Sequence, residues 1–233
     1  MPGIHLHLLS GGAAQGVVRA LEEEFRVATG ASLQGTFGAV GAMREKLLAG
    51  EPCDVVILTA AIVAELERDG RVLAATSAPL GRVRTGVAVR AGERLPDIAD
   101  GTALRATLLA ARGICFPDPE LATAGIHFIE VLRKLGIRDE VAPRLMPYPN
   151  GATAMRELAR ATVPGLVGCT QITEIRYTPG VVLVGPLPAG FELSTVYAAA
   201  VCAGAAEPDL ARRLVGLLSG PSSQALRAAG GFE

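Results

Sequence analysis

Four short stretches of the 233-residue chain carry the groups best suited to hold a small polar molecule. Ser10-Gly11-Gly12-Ala13, Phe37-Gly38-Ala39 and Asn150-Gly151 each stand just before an amphipathic pattern, and Thr123-Ala124 does so after Pro117-Asp118-Pro119. Thr170-Gln171 makes a fifth stretch, at the end of a short apolar run. Small or hydroxyl residues where a helix begins let a ligand reach the first-turn N–H groups, and the helix dipole favours an anionic or carbonyl oxygen there. Ser10, Thr123, Asn150, Thr170 and Gln171 are the candidate side-chain contacts, with Tyr197 in a later apolar run. The weak candidates for proton transfer are Asp118 and Glu120, and Glu174 lies a turn past Thr170. A carboxylate in an apolar pocket rises in pKa, as a general base for abstraction beside a carbonyl requires. Most of these residues also have a simpler reading. Asn150 is a favoured helix N-cap, Thr123 can cap the following helix, Asp118 between prolines suits a turn, and Tyr197 fits a core.

Other chemistries find no support. The four cysteines, Cys53, Cys115, Cys169 and Cys202, form no C-x-x-C pair and read as free core thiols. His5, His7 and His127 are scattered without metal-ligand spacing, so no metal and no cofactor is expected. The net charge is −1, from 22 basic and 23 acidic residues without a basic stripe, which argues against a nucleic-acid partner. Val196–Ala206 is about half of the ~20 apolar residues of a membrane-spanning helix, so no membrane insertion is expected. The opening MPGIHLHLLSGG lacks a basic n-region and a full h-region. That points to the cytoplasm; a processed export segment, and hence the periplasm, is the alternative.

These loops need a scaffold, and apolar periodicity supplies one. Ile4–Leu9, Ser32–Thr36 and Asp54–Leu58 read as strands alternating with helices over Ala14–Thr29, Ala42–Ala49 and Ile62–Asp69. Val17, Val18, Leu21 and Phe25 form one face of the first helix, and Gly30 closes it. A second set follows: strand Val83–Arg90, helix Leu104–Ala111, strand Ile114–Phe116, helices Ala124–Leu135 and Gly151 to about Ala161, and strand Leu166–Cys169. A helical Gln171–Tyr177, strands Val181–Val184 and Leu193–Cys202, and terminal helices Pro208–Leu218 and Ser222–Ala229 complete the chain. The predicted class is α/β with two lobes, each a mostly parallel sheet flanked by helices. Residues 1–82 with 203–233 form lobe 1; residues 83–202, with two hinge strands, form lobe 2. The candidate loops sit where strands end, and a small molecule held between the lobes is the expected partner.

The chain resembles the type II periplasmic binding proteins, in particular their molybdate-binding branch. The likeness rests on LLSGGAAQGVVRALEEEF with Thr29-Gly30, TFGAVGAMREKLLAGEPCDVVIL, FPDPELATAGIHFIEVLRKLG, NGATAMREL and LLSGPSSQALRAAGGF. The resemblance implies a solute binder serving an ABC permease, a partner only if the chain is exported. It also implies an oxyanion site built from hydroxyls and backbone N–H groups. The family's first-loop serine falls at Ala13, with Ser10 three residues earlier; its second falls near Ala39, and its tyrosine near Gly168. Each missing charge-assisted bond weakens oxyanion binding by roughly 1.5–3 kcal/mol. The expected ligand is therefore an organic carboxylate or carbonyl compound rather than molybdate. The alternative is an isomerase on the same scaffold, because proteins similar to this branch, aconitate isomerase among them, shift double bonds.

Overall fold

The computed structural model describes residues 3–233. The Met1-Pro2 start, on which the localisation reading partly rests, lies outside them. In chain order the elements are β1 (His5–Gly11), α1 (Gln15–Thr29), β2 (Ser32–Gly38), α2 (Val40–Leu48), β3 (Val55–Thr59), α3 (Ala60–Arg68) and β4 (Ala78–Arg90). There follow α4 (Gly101–Ala110), β5 (Gly113–Pro117), α5 (Thr123–Lys134), α6 (Arg138–Val141), β6 (Leu145–Tyr148), α7 (Gly151–Arg160) and β7 (Leu166–Gln171). The chain closes with α8 (Ile172–Tyr177), β8 (Val181–Pro186), β9 (Ser194–Val201), α9 (Pro208–Ser219) and α10 (Gln224–Gly230).

The chain divides into two compact units, one ending at Val83 and resumed over Thr195–Glu233, the other spanning Arg84–Ser194. The first boundary falls inside β4. Almost all of β9 lies in unit 1, where it pairs antiparallel with β3 (Val55 opposite Val201). In unit 1 the strand order is β2-β1-β3-β9, with β1 parallel to both of its neighbours. Val17, Val18, Leu21 and Phe25 are the buried stripe of α1, and Gly30 ends it at φ +75° with its N–H on the Arg26 carbonyl. Asp54 ties distant segments together: its carboxylate accepts the His7 N–H and the Ala206 N–H, each at 2.7 Å, and it is buried.

In unit 2 the order is β4-β7-β5-β6, with β8 on the other side of β4. β5 runs parallel to β6 and β7, whereas β4 is antiparallel to β7 and β8. The pleat separates two cores. Ile114, Phe116, Val167 and Cys169 face a cluster with Phe128 and Leu132 of α5, while Cys115 and Leu166 face Met155 and Leu158 of α7. This period-two sorting is what a sheet covered on both faces requires.

Candidate functional site

In unit 1, β1 runs directly into a single 3₁₀ turn over Gly12–Ala14 and then α1. Neither the turn nor α1 receives a side-chain cap. α2 likewise begins after Ala39 without one. Two helix starts in unit 1 thus keep first-turn N–H groups that no capping side chain takes up. Ser10 is fully buried and donates its hydroxyl to the Gly11 carbonyl at 2.9 Å. Gly11 and Tyr197 meet: a Cβ at position 11 would stand 3.1 Å from both Tyr197 Cε1 and Val40 Cγ2. Glycine there lets the tyrosine ring pack against the end of β1. The Ala13 methyl is buried in the unit 1 core, and Ala39 is buried as well. Phe37 folds back over Gly35 and places its ring 5.3 Å from the Arg19 guanidinium. A Cβ on Gly38 would press on Met43 Cε.

In unit 2, the loop after β5 is closed by Asp118. Its Oδ1 accepts the N–H groups of Glu120 and Leu121, each at 2.8 Å. The carboxylate is thereby committed to a turn, the simpler of its two sequence readings, while Glu120 is exposed. α5 has Ala122 in the N-cap position, so Thr123 is its first residue and not its cap, and Ala124 is buried beside it. Gly125 permits the Pro117 and Asp118 carbonyls to lie against the first turn of α5, where any Cβ would overlap them.

The most constrained chemistry lies at the start of α7. Asn150 caps it, its Oδ1 accepting the Thr153 N–H at 2.8 Å. Beside that cap sits the Glu174 carboxylate, brought over from α8 and buried. Oε2 accepts the Thr170 hydroxyl at 2.6 Å. The N–H groups of Ala152, Gln171 and Gly151 donate to the same carboxyl. A side chain on Gly151 would overlap both Glu174 Oε2 and Thr170 Oγ1, so only glycine admits the carboxylate this close to the helix end. Burial pushes the Glu174 carboxyl above the usual carboxylate range, and its four donors pull against that shift. The first N–H groups of α7 are consequently taken by an internal acid and an internal amide.

The sequence candidates therefore separate. Gly151, Thr170 and the Gln171 N–H converge on Glu174, and Asn150 caps the same helix start; Gly11 and Tyr197 converge in unit 1. Asp118 and Glu120 join neither group. The acid that matters in unit 2 is Glu174, and the Thr-x-x-x-Glu spacing of 170 and 174 was its only local signal. Glycine at 168 leaves no open space: a Cβ there would stand 2.6 Å from Met155 Cε and 2.7 Å from Leu158 Cδ2, so α7 already fills it. Of the arginines near the loops, Arg44 pairs with Glu65 at 3.5 Å, and Arg156 donates to Thr153 Oγ1 on its own helix. Among the described residues no cluster of three or more His, Cys, Asp or Glu could hold a metal ion, and no helix is long and apolar enough to cross a membrane.

Comparison with known proteins gives concordant matches. A family model described as bacterial extracellular solute-binding protein matches residues 6–233. An aconitate isomerase from a Pseudomonas species is 27% identical over 227 residues, covering 94% of this chain and 83% of that protein. The molybdate-binding protein ModA of Escherichia coli K12 is 24% identical over 197 residues, covering 82% of this chain and 76% of that protein. Among solved structures, the periplasmic molybdate-binding protein of Azotobacter vinelandii superposes with a TM-score of 0.80 at 20% identity, over 98% of both chains. The fold is that of the type II periplasmic binding proteins.

Proposed function

We propose that this chain, which belongs to the bacterial extracellular solute-binding protein family, binds a small organic carboxylate or carbonyl compound and discriminates against molybdate-type oxyanions. One observation carries the reading: the start of α7 is sealed by Glu174. A helix N-terminus attracts an anion through free N–H groups and a positive dipole end. Here Gly151 and Ala152 give their N–H groups to a resident carboxylate, and Asn150 takes that of Thr153. An incoming oxyanion would find no open donor there and a resident acid beside it. Unit 1 supports the same reading. It has alanine at 13 and 39, where the resemblance calls for hydroxyls, yet retains uncapped starts at α1 and α2. Such N–H groups suit one carboxylate or carbonyl oxygen of a larger molecule. In this reading the candidate ligand contacts of unit 1 are Ser10, Gly11, Gly12, Ala13, Phe37, Gly38, Ala39 and Tyr197, and those of unit 2 are Thr123, Ala124, Asn150, Gly151, Thr170 and Gln171.

The 27% identity to an aconitate isomerase over 94% of the chain favours a second reading, catalysis of a double-bond shift. Such a reaction needs a group that removes a proton beside a carboxyl-bearing carbon and returns it elsewhere. Asp118 is occupied by its turn, so Glu174 replaces it as the candidate.

One experiment separates the readings. The protein is mixed with one isomer of aconitate in deuterated water and followed by proton NMR. Catalysis predicts growth of the other isomer with deuterium at the exchanged carbon. Binding alone predicts ligand-induced shifts and a raised melting temperature with no new isomer. A ligand at 100 times its Kd adds about 2.7 kcal/mol of stability. If molybdate or tungstate raises the melting temperature and no organic acid does, both readings fail.

A further inference from the structure

Cys53 and Cys202 stand 149 positions apart in sequence, yet their sulfurs lie 3.3 Å from each other in the interior of unit 1. The juxtaposition is built by the sheet. Cys53 lies just before β3, Cys202 just after β9, and those strands form an antiparallel ladder that pairs Val55 with Val201. The Cys202 N–H continues the ladder onto the Asp54 carbonyl at 2.9 Å. Because Cys53 lies outside the regular pairing, its side chain turns toward Cys202, and its thiol also lies 3.2 Å from the Val55 carbonyl. The other two cysteines cannot do the same: Cys115 and Cys169 face opposite sides of the unit 2 sheet.

We propose that Cys53 and Cys202 are a cross-linking pair that closes to a disulfide when the folded chain meets a disulfide donor. An S–S bond is about 2.05 Å long, so the sulfurs need to approach by roughly 1.3 Å, within reach of small χ rotations. Cys53, at 9% exposure the more accessible of the two, is the entry point; Cys202 is 2% exposed. In the first step Cys53 loses its proton to solvent and attacks one sulfur of the donor R–S–S–R, expelling one thiolate. In the second step Cys202 loses its proton and attacks the Cys53 sulfur of the mixed disulfide, expelling the other. Two protein thiols are oxidised, and the donor is reduced to two thiols. In the reduced pair the hydrogen bond to Cys53 and burial hold the Cys202 thiol well above the ordinary cysteine range; each attack needs a thiolate, so closure quickens with pH. The family is described as extracellular, the setting in which such bonds form and persist.

The test takes the full chain, purified reduced and freed of reductant, and exposes it in the folded state to oxidised glutathione at mildly alkaline pH. Thiols titrated after denaturation should fall from the four of the sequence to two. Intact mass should drop by two hydrogen atoms, and peptide mapping should join the segments holding Cys53 and Cys202. The melting temperature of the oxidised form should rise by roughly 5–15 °C, because the bond closes a long loop of the unfolded chain. C53S and C202S should each abolish the joined peptide. If either fails to fold, the wild-type peptide map decides alone. Retention of all four thiols, arrest at a glutathione adduct of Cys53, or a cross-link between other cysteines overturns the proposal.

Discussion

Replacing Gly151 by alanine is a one-carbon perturbation at the most constrained point of unit 2. The new methyl overlaps Glu174 Oε2 and Thr170 Oγ1, both buried and hydrogen-bonded to each other. The carboxyl must leave its seat and forfeit its bonds to the Gly151 and Ala152 N–H groups. A bond to a buried carboxyl left unmade costs about 1–3 kcal/mol, hence about 2–6 for the pair. Alanine returns at most about 1 kcal/mol of helix preference over glycine. The expected net loss is about 1–5 kcal/mol, or a melting temperature lowered by roughly 2–20 °C for a chain of this size. Gly216 provides the control. It lies within α9, and nothing stands within 4 Å of the Cβ it would acquire. G216A should therefore stabilise by a few tenths to about 1 kcal/mol. Thermal and urea melts of the two variants, side by side, read opposite signs from the same chemical change. In a double-mutant cycle G151A and E174A should be strongly non-additive, since each disturbs the same seat. A G151A variant that melts within about 0.5 kcal/mol of wild type while G216A behaves as stated would show that the Glu174 carboxyl does not depend on glycine at 151.

Further outcomes follow from named contacts. Burial raises the Glu174 carboxyl, so the folded state keeps this proton at pH values where the unfolded chain has released it. Its contribution is fullest below the ordinary glutamate pKa and fades as pH rises through the folded value, so the melting temperature of wild type relative to E174Q should fall with increasing pH across that window. A difference that grows with pH would reverse the assignment. D54A should cost about 3–5 kcal/mol in a denaturant melt, because it removes the acceptor of the His7 and Ala206 N–H groups from a buried position. D118A should lower stability by about 1–2 kcal/mol through loss of its turn, yet leave ligand binding or isomerisation intact, and a kinetic assay showing abolished turnover would restore Asp118 as the base.

The sequence made the scaffold readable wherever an element was long enough to show its period. The buried stripe of α1 and its Gly30 stop stand as the spacing implied, and Asn150 announced its helix by residue type. Short or interrupted elements did not show. α6 is a single turn, β6 carries Pro147, and the start of β4 contains Pro79 and Gly81, so each resembles a loop in sequence. The candidate site was readable as loops but not as contacts. Thr170 and Glu174 could be paired by spacing, whereas the approach of Glu174 to Gly151 depends on how α7 and α8 pack, which no local pattern encodes. The same holds for Gly168, whose neighbours Leu158 and Met155 stand ten and thirteen residues earlier on α7. Sequence marked the glycines, and packing decided what each one accommodates.

Calorimetric titration of the intact chain with molybdate bears most directly on ligand class. The three hydroxyl donors that the resemblance calls for at Ala13, Ala39 and near Gly168, at roughly 1.5–3 kcal/mol each, correspond when absent to a thousandfold to millionfold weakening. The sealed helix end adds to that loss. The expected result is no measurable heat at micromolar protein, with a di- or tricarboxylate binding under the same conditions. Saturable molybdate binding with a Kd of about 1 μM or tighter, near −8 kcal/mol, would contradict the account.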